Sequence, residues 1–373
     1  MKIEEIETFL VHQWLLVRIQ TDKGISGIGE ATFFPHPEAV IGVLNTFRDY
    51  LRGQDPLRID HHWQFLYRFT SFRGAAIMAA LSAIDIALWD IAGKFYRAPV
   101  CNLLGGRCRD KIRMCALVLT DEIDALVAGV KQAVAEGHTA VKIDPVARGF
   151  PRMANDRLVK EIVSRVSAVR EAVGPDVDVC VEVHRKLAPS EAVIVEQALR
   201  PFNLLFIEDP IQPDSVQSMA QVVSKMATPV ATGERLHTIY EFRELLEAGG
   251  AQHIKPDIGL AGGITHCKKI AALAEAYHGS VAPHNFLTPV CTAAHVHLCA
   301  AIPNFLVLAY LPEDRPPRSD VVKRHLPVEQ GYIKVPDTPG LGVEFDESAP
   351  SKHPLKRFVP ATALKEDGSV AYR

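Results

Sequence analysis

The hydrophobic pattern of the chain changes near residue 112, and this change predicts two structural units. Before this point, short runs that are apolar or alternate with polar residues predict three strands, at 2–11, 14–20 and 27–31. Helical periodicity then returns three times, at 38–51, 60–69 and 75–95. Three strands followed by helices predict an α+β domain over residues 1–110, to which we expect the C-terminal segment 336–373 to return as part of the same cap.

After residue 112, strand-like and helical patterns alternate regularly. Eight apolar runs predict strands, at 112–117, 140–143, 177–183, 204–208, 229–232, 253–256, 280–283 and 305–310. Seven helical patterns separate them, at 122–136, 155–173, 190–199, 215–225, 240–248, 262–277 and 289–301. This order predicts an α/β fold, a (β/α)7β barrel of the TIM type over residues 111–335. An open doubly wound sheet is the alternative, but no G-x-G-x-x-G follows the first strand.

Composition and charge exclude several classes of protein. The 373 residues are 48% hydrophobic and 23% charged with a formal net charge of −3, so the chain has no basic field for nucleic acid or anionic membranes. The apolar stretch 74–93 contains Asp85 and Asp90, which favours a buried helix over a membrane span. The N-terminus is acidic and strand-like rather than a signal peptide, and the seven cysteines form no C-x-x-C pair. We therefore expect a cytoplasmic protein with reduced thiols and no nucleic-acid or membrane partner.

Three glutamates, Glu182, Glu208 and Glu234, stand 26 residues apart at or near the ends of successive predicted strands. A single acid in such a position is usually a helix cap or a solvated loop residue. Acids at the same point of three successive βα units instead converge on one mouth of the barrel, because one unit takes roughly 30 residues. Three carboxylates that converge there predict a site for a hard divalent cation such as Mg²⁺.

Two histidines and an aspartate also stand at predicted strand ends. His184 lies two residues beyond Glu182, so both side chains point to the same side of an extended strand. Asp257 and His284 end consecutive strands, where the carboxylate would hold the imidazole and raise its basicity. His284 is therefore the candidate general base, and His184 is a second candidate catalytic residue. The alternatives are a structural role for His184 and a supporting or metal-ligating role for His284.

Five segments carry a resemblance to a known family: VEVHRKL, FIEDP, ATGERL, KPDIGLAGGIT and APHN. They resemble the strand-end motifs of the enolase superfamily, mandelate racemase subgroup, and within it the chain is most similar to acid-sugar dehydratases of the D-galactonate dehydratase type. The resemblance spans nearly the whole chain. It implies a Mg²⁺-dependent hydro-lyase that converts a sugar acid, an aldonate like D-galactonate, to a 2-keto-3-deoxy acid through an enediolate.

Carried over by position, the resemblance implies a role for each candidate residue. The implied metal ligands are Glu182, Glu208 and Glu234. The implied general base is His284 with Asp257 as its partner, and the implied general acid is His184. Further candidates for contact with the substrate are Lys142, Asp144, Trp14 and His36. Because capped barrels of this kind often assemble symmetrically, we also expect a homo-oligomer.

Two departures from the family pattern bear on which activity the chain has. The second barrel strand reads Lys142-Ile143-Asp144 where racemases of the subgroup often have Lys-x-Lys, which disfavours racemisation. The last strand has Ala309 where the family usually has a glutamate that faces the substrate. Two alternatives stay open: a racemase or epimerase of a 2-hydroxy acid, and, because of Ala309, a binding or regulatory paralogue with impaired catalysis.

Overall fold

The computed structural model describes residues 1–33, 35–69, 73–147, 149–357 and 363–371. The N-terminal unit begins with three strands, β1 Ile3–Val11, β2 Trp14–Thr21 and β3 Ser26–Ala31. They form an antiparallel sheet in chain order. The helices that follow are α1 Pro37–Leu51, α2 Ile59–Phe69, α3 Ala75–Tyr96 and α4 Val100–Leu103. The predicted order of strands and then helices is confirmed.

Helix α3 packs directly against β3 because two glycines in the strand place no side chain between them. A Cβ atom on Gly27 would lie 2.0 Å from the carbonyl oxygen of Ala87, and one on Gly29 would lie 2.0 Å from that of Ala83. The two backbones therefore approach closely. By length and composition α3 could span a membrane, but most of its residues are buried inside the folded chain.

The two aspartates within α3 are buried and bind backbone N–H groups of other elements. Asp85 accepts a hydrogen bond from the N–H of Thr265 at 3.0 Å, and burial raises the pKa of Asp85 to about 7. Asp90 accepts from the N–H of Ile28 at 3.1 Å and from that of Leu341 at 2.9 Å. These bonds tie α3 to β3, to a barrel helix and to the C-terminal segment.

The second unit alternates strands and helices. Its strands are β4 Lys111–Val118, β5 Ala140–Ile143, β6 Asp178–Glu182, β7 Phe206–Glu208, β8 Val230–Thr232, β9 His253–Ile254, β10 Ser280–Val281 and β11 Leu308–Tyr310. Its helices are α5 Ile123–Ala135, α6 Asn155–Val173, α7 Pro189–Leu199, α8 Val216–Val223, α9 Ile239–Glu247, α10 Gly263–Ala276 and α11 Pro289–Ala301.

Neighbouring strands pair in parallel from β4 through β10, and β11 pairs in parallel with β4. A parallel bridge between Val281 and Phe305 joins β10 to the segment that leads into β11. The strands thus follow one another in the order that the sequence predicts for a (β/α)7β barrel of the TIM type.

The barrel interior is filled by side chains that alternate along the strands. The interior cluster consists of Cys115, Ala140, Cys180, Phe206, Ala231, Ala282 and Val307. Two positions beyond three of these residues stand Lys142, Glu182 and Glu208, so the period of two turns their side chains to the same interior. The apolar cluster therefore fills the interior of the barrel, and the polar side chains lie above it at the carboxyl ends of the strands.

The part of the chain after β11 contacts both units. Its elements are β12 Val322–Arg324, β13 Val328–Glu329, β14 Tyr332–Lys334, β15 Glu344–Phe345 and α12 Ala349–Lys352. Strand β14 pairs antiparallel with β4. The N–H of His12 donates to the carbonyl of His353 at 2.7 Å, and the N–H of Lys356 donates to the carbonyl of His12 at 2.8 Å. This part of the tail therefore lies against the turn between β1 and β2.

Candidate active site

Three buried carboxylates meet at the carboxyl end of the barrel. Glu182 and Glu208 are the last residues of β6 and β7 and face each other in the pairing register, and Glu234 follows β8 by two residues. One carboxylate oxygen from each lies within 4.8 Å of the other two. The structure thus brings together the three acids whose spacing predicted a metal site.

Two lysine ammonium groups approach these carboxylates. Lys142 lies 3.0 Å from Glu182 Oε2 and 2.7 Å from Glu208 Oε2, and Lys255 lies 3.3 Å from the same oxygen of Glu208. Burial alone would raise the pKa of Glu208, but Lys142 and Lys255 hold it well below its usual range. Burial and the neighbouring Glu208 raise the pKa of Glu182. Lys142, a candidate substrate contact, therefore lies among the acids as their counter-ion.

A further ion-pair group beside the acids escaped the sequence reasoning. Arg185 donates to Asp209 Oδ2 at 3.0 Å and also to Glu234, and the hydroxyl of Thr232 donates to Asp209 Oδ1. Burial and the nearby Glu234 raise the pKa of Asp209 to about 6. Burial opposes ionisation of Glu234, but His284 and Arg185 lower its pKa to about 2. The sequence signal that could have identified Arg185 and Asp209 is their position within the motifs VEVHRKL and FIEDP.

The candidate base is held by a carboxylate from the preceding strand end. His284 Nδ1 lies 2.7 Å from Asp257 Oδ2, and the other oxygen of Asp257 accepts from the Thr32 hydroxyl at 2.9 Å and the Gly259 N–H at 2.8 Å. Because an ionised carboxylate can only accept, Nδ1 of His284 carries a proton. The other ring nitrogen, Nε2, lies 3.5 Å from Glu234 Oε2. Burial lowers the pKa of His284, but Glu234 and Asp257 outweigh it and raise the pKa.

His184 stands in a strained turn beyond β6. Its φ is +57° and that of Arg185 is +65°, in the left-handed region that non-glycine residues seldom adopt. The N–H of His184 donates to Glu182 Oε1 at 2.9 Å, so the turn is fastened to one of the acids. Burial and the Arg185 cation lower the pKa of His184 to about 4.

The remaining candidates for substrate contact lie in different surroundings. Asp144 accepts a hydrogen bond from Lys186 Nζ at 2.6 Å and is thus engaged in an ion pair. Trp14 is buried, with its ring 5.3 Å from the guanidinium carbon of Arg318. His36 is exposed at the N-terminus of α1.

Comparison with known proteins identifies the family of the chain. The mandelate racemase/muconate lactonizing enzyme N-terminal domain matches residues 5–105, and the enolase C-terminal domain-like family matches residues 125–349. The chain is 37% identical to a D-galactonate dehydratase of Ralstonia nicotianae and 35% identical to one of Cronobacter sakazakii, with all of each chain covered. An enolase from Agrobacterium radiobacter, solved with sodium and L-malate bound, has a TM-score of 0.96 and 32% identity over all of both chains. The protein therefore belongs to the mandelate racemase/muconate lactonizing enzyme family of the enolase superfamily.

Proposed function

We propose that this protein is a Mg²⁺-dependent sugar-acid dehydratase, which removes water from an aldonate such as D-galactonate and releases a 2-keto-3-deoxy acid. The observation that carries the proposal is the cluster of Glu182, Glu208 and Glu234 beside the His284–Asp257 pair. Two relatives of matching length that are D-galactonate dehydratases support the choice of substrate.

Membership of the enolase superfamily implies a divalent metal ion, and the three glutamates fit one. Glu208 Oε1 is buried and has no hydrogen-bond partner among the described residues, so it is free to take a ligand role. Three carboxylate oxygens suit Mg²⁺ because hard cations prefer oxygen donors. When bound, the ion would act as a Lewis acid on the substrate carboxylate and stabilise the charge that develops in an enediolate.

The first step assigned to this chain is proton removal from C2 of the sugar acid. His284 would take the proton at Nε2, because Asp257 keeps the other ring nitrogen protonated. Asp257 is itself held by Thr32 and Gly259, so the ring orientation is fixed before substrate arrives. The electron pair of the broken C–H bond then passes into the enediolate.

The second step is loss of the C3 hydroxyl group. His184 would donate a proton to this hydroxyl as the C3–O bond breaks, so that water leaves and an enol remains. Burial and Arg185 lower the pKa of His184 to about 4 in the substrate-free site, and the negative charge of the bound sugar acid and its enediolate would raise that pKa and favour the imidazolium that this step needs. The enol then tautomerises to the 2-keto-3-deoxy acid. A positioned acid contributes roughly 10²–10⁴-fold to such a step.

The experiment is incubation of the purified protein and Mg²⁺ with a panel of aldonates, followed by assay for 2-keto-3-deoxy acids. His184→Asn should stop product release while C2 hydrogen still exchanges with deuterium from solvent, because His284 remains. A folded protein that binds Mg²⁺ but forms no product from any aldonate would rule the proposal out. Exchange at C2 without elimination in the wild type would point to a racemase instead. The structure disfavours a racemase because Asp144, at the position where a second base would stand, is engaged in an ion pair with Lys186.

For the assembly and location we propose a cytoplasmic homo-oligomer. Two exposed aromatic rings that stack on α2 support an association surface: Phe65 and Phe69 are 40% and 57% exposed, with ring centroids 5.9 Å apart. Light scattering of the purified protein should give a mass that is a multiple of 41.0 kDa. A single species at the monomer mass would contradict the oligomer.

A further inference from the structure

The last barrel strand presents a methyl group where its neighbours present polar groups. Val307 belongs to the interior cluster, and Ala309 follows it by two positions, as Glu182 follows Cys180 on β6. Leu308 packs instead in the cluster that includes α11 residues, on the other side of the strand. Ala309 therefore faces the interior near the strand end without a group that can donate or accept a hydrogen bond.

A buried carboxyl group from the next loop is linked to this position by hydrogen bonds. Glu313 is 7% exposed and accepts a hydrogen bond from the hydroxyl of Thr292. Asn285 Nδ2 donates to the same hydroxyl at 2.9 Å and to the carbonyl of Ala309 at 3.2 Å. One hydroxyl and one amide thus connect the Glu313 carboxyl to Ala309, and the amide belongs to the residue that follows His284.

The surroundings of Glu313 favour its protonated form at neutral pH. Burial raises its pKa to about 8, against the opposing effect of the Thr292 hydrogen bond. The charged or titratable groups that face it are Arg318, Glu30 and Tyr310, whose hydroxyl accepts from the Glu313 N–H at 3.3 Å. The guanidinium of Arg318 donates to the carbonyls of residues 286 and 287, and no carboxylate in the described part of the chain lies within ion-pair distance of it.

Asn285 adds an independent sign that a ligand reaches this place. Its side chain is 4% exposed, and its Oδ1 has no hydrogen-bond donor among the residues that the structure describes. A buried amide oxygen without a partner costs free energy unless another donor reaches it. A hydroxyl of a bound sugar acid would supply such a donor beside Glu313.

We propose that Glu313 is a catalytic residue whose carboxyl group donates a hydrogen bond to the oxygen of the enediolate, in place of a side chain at position 309. The assignment rests on the proposed dehydration. Glu313 keeps its proton throughout, so no bond to it forms or breaks, and the C2 proton still goes to His284. A single preorganised donor to a developing oxyanion is worth about 10²–10³-fold in rate.

The test compares three variants in Mg²⁺ with the aldonate that gives the most product. The wild-type rate should decline as pH rises through about 8, where Glu313 loses its proton. Glu313→Gln keeps a neutral donor, so it should retain much of the activity and lose this decline. Below about pH 8, Glu313→Ala should be slower than wild type by about 10²–10³-fold, and the difference should narrow above that pH because the wild type then loses the same donor. Adding Ala309→Glu to Glu313→Ala should recover at least tenfold of that loss, because the carboxyl is returned to the adjacent strand.

A matched control is Glu30→Gln, which alters another buried carboxyl group in the same neighbourhood. It should shift the alkaline decline of the rate without removing it. A Glu313→Ala rate within threefold of the wild-type rate, or an unchanged alkaline decline in Glu313→Gln, would overturn the assignment.

A second readout separates this inference from the proposed function. The infrared difference spectrum of wild type minus Glu313→Gln at pH 7, without any substrate, should contain the band of a protonated carboxyl group. Absence of that band overturns the role of Glu313 whatever the activity. If wild type dehydrates no aldonate, the proposed function fails, while the band still decides the state of Glu313.

Discussion

Replacing Asp257 by asparagine should abolish the base while changing almost no atom positions. Oδ1 of Asp257 accepts from both the Thr32 hydroxyl and the Gly259 N–H, so the amide oxygen of the introduced side chain must occupy that place. The amide NH₂ then faces His284 Nδ1, where the carboxylate oxygen had been 2.7 Å away. Because NH₂ donates, Nδ1 becomes the acceptor and the ring proton moves to Nε2. An imidazole protonated at Nε2 cannot accept the C2 proton.

The expected loss is that of a general base, roughly 10²–10⁴-fold in turnover, or about 3–5 kcal/mol in activation free energy. Thr32→Val is the matched control, because it removes one hydrogen bond to Asp257 but leaves the carboxylate in place. It should cost less than tenfold, since the Gly259 N–H still orients the carboxylate.

The assay measures both C2 deuterium exchange and formation of the 2-keto-3-deoxy acid, with Mg²⁺ binding followed by calorimetry. Asp257→Asn should lose exchange and product together while it binds Mg²⁺ as wild type does, since Asp257 is not among the three clustered acids. A variant that keeps C2 exchange within threefold of the wild-type rate would refute the tautomer reasoning. Equal losses in Asp257→Asn and Thr32→Val would refute it as well, because geometry alone would then explain both.

Three other measurements test the site and the packing. Mg²⁺ at about 100 times its Kd should stabilise the wild type by about 2.7 kcal/mol in thermal unfolding, and Glu208→Gln should lose most of this effect. The folded-state pKa of Glu30 is about 7, raised from 4.5 by burial, so stability should fall by about 3 kcal/mol as pH rises from below 4.5 to well above 7, and Glu30→Gln should remove that part of the decline. Gly27→Ala should destabilise by about 1–3 kcal/mol in urea because its Cβ would lie 2.0 Å from the Ala87 carbonyl oxygen, whereas the exposed Gly42→Ala in α1 should stabilise slightly.

Much of the fold could be predicted because the barrel repeats one unit. Strand and helix patterns recur at similar intervals, and Glu182, Glu208 and Glu234 stand 26 residues apart, so their common position within successive units could be predicted from the sequence. The Asp257–His284 pair was predictable for the same reason, since the two residues follow adjacent strands by the same number of positions and pair in a parallel bridge. The periodic pattern of the sequence therefore predicts those parts of the site that lie at the ends of consecutive strands.

The parts that could not be predicted depend on contacts between distant residues in the chain. Thr32 binds Asp257 across 225 positions, and no periodic signal links a cap strand to a barrel strand end. Glu313 lies in an irregular loop, where its burial depends on how that loop folds back onto Thr292. The role of Lys142 as counter-ion of the acids was also not evident, because a strand-end lysine can equally reach the substrate.

The contacts between cap and barrel indicate that the cap helps to build the base rather than only covering it. Strand β3 ends next to Thr32, which holds Asp257, and within β3 the carboxyl of Glu30 accepts from the N–H groups of Thr288 and Cys291 at the start of α11. These two hydrogen bonds hold the loop between β10 and α11 against the cap, and His284 lies in this loop. A change that loosens β3 should therefore alter the orientation of the base before it alters the metal site, because the three glutamates belong wholly to barrel strand ends. Such a variant would then lose catalytic activity while it still binds the metal ion.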